Sequence, residues 1–170
     1  EQIRIFAKMA KKGLIYKGLK PVYWSPSSET ALAEAEIEYY DVTSDAIFVA
    51  FPVVDGKGLL SNDCKLVIWT TTPWTIPANM AVSVHPDFDY AYVKVQNKET
   101  GKDEVLLMAE GLITSVFGQE EAEILKTVKG EQLKGLEYIH PLKEEVPAQK
   151  EFNHMLILGD HVTLEDGTGC

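Results

Sequence analysis

Apolar residues at helical spacing open the chain and predict a short amphipathic helix over residues 1–12. Ile3, Phe6 and Met9 would form its apolar stripe, and Gly13 is suited to end the helix because glycine readily adopts positive φ. The stripe is either part of a core or a face that docks on a neighbouring domain.

Beyond the helix, the pattern predicts a strand-rich body with a few short helices. Short runs rich in β-favouring residues, bounded by turn residues, predict strands at 46–54, 66–69, 90–95, 104–109 and 155–158. Turn sequences at 55–58 and 97–102 predict two hairpins. Other segments predict a turn at 25–28, one or two helical turns within 29–36 and a helix over 111–117, whereas 120–128 is ambiguous. This order favours an α+β fold with a mixed or partly closed sheet over repeated βαβ units.

The stretch Leu66–Val84 joins a buried strand to a polar turn. Leu66–Trp69 is apolar throughout, as expected of a strand packed on both faces, and Thr70–Thr72 follow directly. Pro73 and Pro77 prevent the strand from continuing because proline has no backbone donor. Three stiff hydroxyl side chains therefore stand where the chain leaves its sheet. They could build a small polar pocket, although a threonine run is also ordinary strand material.

Composition is that of a globular domain. The chain has 170 residues, of which 45% are apolar and 25% charged, enough for one domain with a sizeable core. The pattern contains neither the apolar region of a signal peptide nor a run of about eighteen apolar residues, so we expect a cytoplasmic protein without a membrane partner. Cys64 and Cys170 lack the spacing of zinc ligands, so we expect reduced thiols and no metal site.

The charge balance limits how the chain can bind nucleic acid. With 16 Lys and Arg against 26 Asp and Glu, the net charge is −10. Such a chain repels a phosphate backbone at distances that salt does not screen. A role with nucleic acid would therefore involve a terminal nucleotide, with other parts of a larger protein gripping the rest.

The string Thr70–Asn79, reading TTTPWTIPAN, resembles the threonine-rich motif of the editing domain of isoleucyl-tRNA synthetases. The related valine and leucine enzymes usually have Thr-Thr-Arg-Pro followed by Glu-Thr or Asp-Thr at this point. Further matches to the segments that lead into and end this domain lie at 18–25, 30–39, 159–163 and 167–170. The region from about residue 97 to 153 contributes little.

The resemblance implies a β-barrel-like mixed sheet with a few short helices, the editing domain fold of class I synthetases. Residues 1–40 would form a connecting helix and an extended segment, and residues 41–170 the domain core. In relatives, the Gly-Thr-Gly motif matched by 167–169 is followed by a His and then by an Asp that holds the substrate amino group. The chain ends at Cys170, before both. We therefore expect the core to be truncated there, which leaves the activity of this chain an open question.

The resemblance also assigns roles to individual side chains. It places three catalytic hydroxyl groups along the editing pocket, namely those of Thr70, Thr71 and Thr72, and the last two would set the pocket width. Asn79 would support the terminal adenosine or the loop around it. Trp74 either stacks on adenine or anchors the loop on the core. Asp160 and His161 are candidates for the pocket rim, whereas all four histidines, His85, His140, His154 and His161, are better explained as structural residues.

The function implied by the resemblance is that of a part of isoleucine–tRNA ligase. The domain would hydrolyse valine wrongly attached to tRNA(Ile), with the tRNA 3′ terminal adenosine and the remaining synthetase domains as partners and no cofactor. Because no Ser-His-Asp or Cys-His arrangement is recognisable, direct attack by a positioned water is favoured. Two alternatives are a non-catalytic module, binding an aminoacylated 3′ end or serving as an interdomain surface, and a β-rich interaction domain unrelated to tRNA.

Overall fold

The computed structural model describes residues 1–58, 63–98, 100–118 and 122–170, which fall into two compact units. The first unit is Glu1–Thr43 and the second is Ser44–Cys170. The sequence placed this division between residues 40 and 41.

The first unit begins with the predicted helix. Helix α1 spans Gln2–Lys11, and Gly13 follows it with a φ of 72°, as expected of a glycine beyond a helix end. The stripe residues Ile3, Phe6 and Met9 are 85%, 59% and 41% exposed, so the stripe is not part of a core in this chain.

A small hairpin replaces part of the second helix predicted for this unit. Strand β1 (Trp24–Ser25) pairs antiparallel with β2 (Thr30–Ala31) around the predicted turn. Because Thr30 and Ala31 are used in this pairing, the helical stretch predicted within 29–36 is reduced to a 3₁₀ helix at Glu34–Glu36.

The second unit contains one mixed sheet of eight strands. In chain order these are β3 (Ile47–Asp55), β4 (Cys64–Thr70), β5 (Ala81–Val84), β6 (Asp89–Gln96), β7 (Asp103–Ala109), β8 (Ala122–Lys129), β9 (Glu137–Tyr138) and β10 (His154–Leu158). Their spatial order is β5-β10-β9-β3-β4-β7-β6-β8. The β10–β5 and β4–β7 pairs are parallel and the other pairs are antiparallel. Within the described residues no ladder joins β5 to β8, so the predicted mixed sheet is confirmed but is not a closed barrel.

Local patterns predicted several elements correctly. Strands β6 and β7 form the expected hairpin, with Tyr90 opposite Ala109 and Gln96 opposite Asp103. Strands β3 and β4 also pair antiparallel, and the connection between them includes residues 59–62, which lie outside the described part. A 3₁₀ helix at Glu110–Leu112 and helix α2 (Ile113–Phe117) occupy the predicted helical segment. The ambiguous stretch 120–128 is strand β8 from Ala122 onwards, and its first two residues lie outside the described part.

The core lies on the central strands. Leu66, Val67 and Ile68 of β4 are consecutive and buried, which confirms that this strand is covered on both faces. Tyr90 of β6 and Leu107 of β7 are completely buried beside it. Each large apolar side chain buried in this way contributes about 1.5–3 kcal/mol to stability.

Three further 3₁₀ helices connect the strands, at Pro73–Ala78, Gly130–Leu133 and Pro147–Lys150. Within the described ranges, no helix is both long and apolar enough to cross a membrane.

Candidate functional site

A cavity of about 370 Å³ opens where the central strand β4 ends. The strand stops at Thr70, and Pro73 begins the 3₁₀ helix Pro73–Ala78, where the missing proline N–H costs no helical hydrogen bond. We call this cavity the threonine cleft. Its polar lining side chains are those of Thr70, Thr75, Asn79 and Ser83, and none of its described lining residues carries a charge.

The hydroxyl groups of the threonine cleft are oriented through the backbone of Thr72. The Thr72 N–H donates to Oγ1 of Thr70 at 3.0 Å, and the Thr72 carbonyl accepts from Oγ1 of Thr75 at 2.7 Å. The Thr70 hydroxyl therefore keeps its proton free to donate. The Thr75 hydroxyl has used its proton and keeps its lone pairs as acceptors. One donor and one acceptor thus face the same cavity.

Thr72 itself adopts a conformation that the sequence did not predict. A residue before proline is biased to extended values, with ψ above about 120°. Thr72 has φ −125° and ψ 62° because its carbonyl must turn to accept from the first turn of the 3₁₀ helix, where the Thr75 N–H also donates to it at 3.0 Å.

Asn79 is fixed at both ends of its amide. Its Nδ2 donates to the carbonyl of Ala81 at 2.9 Å, and its Oδ1 accepts from the hydroxyl of Tyr138 at 2.7 Å. These two bonds hold the end of the 3₁₀ helix against the start of β5. Both ends of the Asn79 amide are thus engaged within the protein.

A second cavity of about 220 Å³ adjoins the threonine cleft and shares Trp69, Ser83 and Cys170 with it. The C-terminal segment 161–170 forms most of its wall, including His161 and Asp166. Buried Thr168 lines it too, and the hydroxyls of Ser83 and Thr168 have no hydrogen-bond partner within the described chain. Unpartnered buried hydroxyls are uncommon and point to a site that a water or ligand can complete.

The structure brings some of the sequence-predicted residues together and leaves others apart. Thr70 and Asn79 line the threonine cleft, and His161 lines the second cavity. Thr71, Thr72 and Trp74 have exposed side chains that line neither cavity, and Trp74 is 73% exposed.

Sequence reasoning missed Ser83 and Thr75 as lining residues. Ser83 carried a detectable signal, because it is the polar residue between buried Val82 and Val84 in an alternating strand. Thr75 lies within the threonine-rich string, but its place in the cleft lining depends on the 3₁₀ helix, which the two prolines make hard to predict.

Two buried histidines confirm the expected structural role. Nε2 of His140 donates to the carbonyl of Ile76 at 2.9 Å, and Nε2 of His154 bonds to Oε1 of Gln149 at 2.7 Å. Burial, followed by the charges of His140 and Lys143, lowers the pKa of His154 below 6.5, against the effect of a hydrogen bond with the backbone of Asn79.

The thiol beside the cavities is not an activated nucleophile. Cys170 lines both cavities, but burial raises the pKa of its thiol to about 12, partly opposed by its hydrogen bond to Thr168. Burial likewise raises the pKa of Cys64 to about 12. Both thiols are protonated at neutral pH, which leaves the cleft hydroxyls and water as the groups available for chemistry.

Comparison with protein families decides the family. The model of class I tRNA synthetases, described as those for I, L, M and V, matches residues 1–97, more than half of the chain. The chain belongs to this family. The domain is 55% identical over 99% of its length to the isoleucine–tRNA ligase of Desulforamulus reducens, and 53% identical over its whole length to that of Geobacillus thermodenitrificans. It spans 17% of the length of each of these relatives. The resemblance carried by the threonine-rich string is therefore confirmed.

Solved structures agree on the fold. The crystal structure of GlLeuRS-CP1 superposes with a TM-score of 0.56 at 19% identity, covering 74% of the domain and 53% of that chain. The crystal structure of the P. knowlesi cytosolic leucyl-tRNA synthetase editing domain gives a TM-score of 0.55 at 15% identity, with coverage of 73% and 56%. The mixed sheet with short helices is thus a fold shared with these editing domains.

Proposed function

We propose that this chain is the editing domain of an isoleucine–tRNA ligase and that it hydrolyses valine esterified to tRNA(Ile). The observation that carries the proposal is the threonine cleft, an uncharged cavity with oriented hydroxyls at the end of the central strand. It lies in a sheet of the kind found in leucyl-tRNA synthetase editing domains and in a chain that matches isoleucine–tRNA ligases throughout.

The reaction is the attack of one water on the ester carbonyl of valyl-tRNA. The water oxygen bonds to the carbonyl carbon, the bond to the ribose oxygen breaks, and a proton passes to that oxygen, giving valine and uncharged tRNA. The Thr70 hydroxyl donates to the developing oxyanion, while the Thr75 oxygen accepts from the attacking water and holds it in place. The ammonium group of the substrate needs a hydrogen-bond acceptor, and the carboxylate of Asp166, which lines the second cavity, can provide one.

The cavity size suits the end of a tRNA. At about 370 Å³ the threonine cleft lies at the lower end of the range of about 300–1,000 Å³ for small-molecule sites. A second, smaller site is needed because one methylene discriminates too weakly in a single binding step; the Ile-versus-Val problem of this synthetase is itself the standard example of that argument.

Charge supports a division of labour with the rest of the ligase. The net charge of −10 disfavours broad contact with the tRNA backbone, so the partner at this site is the 3′ terminal adenosine carrying valine. The remaining synthetase domains hold the body of the tRNA, and the whole enzyme acts in the cytoplasm. An uncharged cleft also fits the alternative function, that of a non-catalytic module that binds the aminoacylated 3′ end.

Deacylation of Val-tRNA(Ile) and Ile-tRNA(Ile) by an isoleucine–tRNA ligase containing this segment tests the proposal. We expect Thr70→Val to lower valine release about tenfold or more because it removes one donor to the oxyanion. The matched control is Thr127→Val, since Thr127 is exposed on β8 and bonds to Glu110 instead. Equal rates for these two variants, or no valine release by the unmodified enzyme, would contradict the proposal.

Thr72 provides the test of selectivity. Its backbone orients both cleft hydroxyls, and its side chain is exposed. Because this side chain lines neither cavity, we expect Thr72→Ala to leave the Val-to-Ile selectivity of deacylation unchanged with the fold intact. Hydrolysis of correctly formed Ile-tRNA(Ile) by the folded Thr72→Ala variant would show instead that the Thr72 side chain limits the pocket width.

A further inference from the structure

Two of the six residues of the 3₁₀ helix Pro73–Ala78 are prolines. Pro73 and Pro77 have no backbone donor, and the bonds that join the helix to its flanking residues are those from Thr75 N–H to Thr72 and from Asn79 N–H to Ile76. Carbonyl groups at a helix end need other partners. In this molecule side chains from the region 138–154, far along the chain, provide them.

Four buried side chains hold the end of this helix, and we call them the clamp: Tyr138, His140, Gln149 and His154. His140 donates to the carbonyl of Ile76 at 2.9 Å, and Gln149 donates through Nε2 to the carbonyl of Pro77 at 2.7 Å. Tyr138 donates to Oδ1 of Asn79 at 2.7 Å. Ile76, Pro77 and Asn79 are thus each held by a different side chain, and His154 joins the clamp through its bond to Gln149.

Gln149 links the clamp into one network. It is 3% exposed, and both ends of its amide are used, because Oε1 bonds to Nε2 of His154 at 2.7 Å. Because the Pro77 carbonyl can only accept, the NH₂ group of Gln149 must face it, which determines the orientation of the Gln149 amide. Its Oε1 then faces His154, so Nε2 of His154 must be the donor. His140 is equally constrained, since its Nδ1 accepts from the N–H of Leu142 at 3.1 Å. The bonds of His140 therefore place a hydrogen on its Nε2, and His154 likewise donates through Nε2.

Two residues held by the clamp, Ile76 and Asn79, line the threonine cleft. Thr75, a third lining residue, lies on the same helix. A shift of this helix would move the Thr75 hydroxyl relative to that of Thr70. Misplacing a reacting group by about 1 Å can cost about 100-fold in rate.

We propose that Gln149 is a positioning residue for the proposed deacylation, and that it acts by holding the 3₁₀ helix so that Thr75 and Asn79 keep their places in the cleft. This inference rests on the proposed function for its catalytic consequence, but the clamp itself is a structural statement that can be tested without activity.

The test compares two substitutions of the same chemistry. Gln149→Glu keeps the shape and the acceptor for His154 but cannot donate to Pro77 when ionised. Gln132→Glu is the matched control, because within the described residues Gln132 uses only its Oε1 acceptor, towards the N–H of Lys129, on the separate 3₁₀ helix Gly130–Leu133. Gln149→Met, which removes both bonds without adding charge, replaces Gln149→Glu if that variant does not fold.

The first measurement is amide hydrogen exchange in the 170-residue chain. We expect exchange at the Thr75 and Asn79 amides to rise roughly tenfold or more in Gln149→Glu relative to Gln132→Glu, with a smaller change at core amides of β6 and β7. Unchanged exchange at Thr75 and Asn79, or an equal change throughout β6 and β7, would overturn the clamp.

The second measurement is deacylation of Val-tRNA(Ile) by the whole ligase carrying the same variants. We expect Gln149→Glu to lower kcat roughly tenfold or more with little change in KM, and Gln132→Glu to leave both unchanged. Normal kcat despite faster exchange at Thr75 and Asn79 would overturn the positioning role. If the unmodified ligase releases no valine, the proposed function fails, and hydrogen exchange alone supports or overturns the clamp.

Discussion

Replacement of Tyr90 by Phe tests how the C-terminal wall of the cavities is held. Tyr90 is completely buried on β6; its hydroxyl accepts from the N–H of His85 at 2.9 Å and donates to the carbonyl of Gly169 at 2.6 Å. The neighbouring Thr168 carbonyl accepts from the N–H of Ala109 at 2.9 Å. One hydroxyl and one backbone bond thus fasten the Gly-Thr-Gly segment to the strand ends.

The cost of Tyr90→Phe follows from the two groups that it leaves unpaired. A buried polar group without a partner costs about 1–3 kcal/mol, and two such groups with some relaxation give about 2–4 kcal/mol. For a chain of this size, that loss lowers the melting temperature by about 5–15 °C. Loosening residues 167–170 would also widen the second cavity.

Tyr92 provides a control on the same strand. It is 3% exposed, but its hydroxyl has no partner in the part of the chain that the structure describes. Tyr92→Phe should therefore change stability by no more than about 0.5 kcal/mol, or increase it slightly. Urea denaturation of both variants measures the difference through the midpoint, provided that the m-value is unchanged. Equal destabilisation by the two substitutions would refute the reasoning.

Three further predictions concern the cavity, the clamp and the charge. Ser83→Ala should change the melting temperature by no more than about 2 °C, because the buried Ser83 hydroxyl has no partner in the described chain. The same substitution should slow deacylation about tenfold, since Ser83 lines the threonine cleft. A normal rate would mean that substrate and water do not use this hydroxyl. Burial lowers the pKa of His154 in the folded chain, so the unfolded chain binds more protons, and stability falls as the pH drops from about 6.5 towards the folded pKa. His154→Gln should therefore reduce the dependence of the unfolding free energy on pH, measured by urea titration between pH 7.5 and 5. An unchanged pH dependence would contradict the lowered pKa of His154. Free tRNA should bind the isolated chain weakly and with a shallow salt dependence, and a steep loss of affinity between about 50 and 200 mM salt would show an unexpected basic surface.

The sequence predicted those parts of the fold that depend on neighbouring residues. Strand β4, the β6–β7 hairpin and helix α2 each follow from a local apolar pattern and its flanking turn residues. Strand β8 was not predicted because most of its described side chains are exposed on both faces, so buried and exposed positions do not alternate along it. Strand β9 has only two residues, too few for any periodicity. The parallel β4–β7 and β10–β5 pairings join distant segments and leave no local trace.

Some residues of the candidate site could likewise be predicted from the sequence, and others could not. Thr70 and Asn79 could be selected because the threonine-rich string carries the resemblance. Gln149 and Tyr138 could not, since each is an isolated polar residue in a region that contributes little to the resemblance. Their importance arises from burial beneath the 3₁₀ helix, which is a property of the folded chain.

These observations indicate how a cleft without charged lining could favour one substrate over another. The described side chains that line it carry no charge, so in the proposed reaction the effect of its hydroxyls on an ester depends on their position. One wall of the threonine cleft is held by the clamp from residues 138–154, and Tyr90 holds Gly169 in the wall of the adjoining second cavity. Both sets of bonds come from buried side chains outside the cleft. Substitutions at these supports should therefore alter rate and selectivity while every lining residue stays the same, which distinguishes a site that works by geometry from one that works by charge.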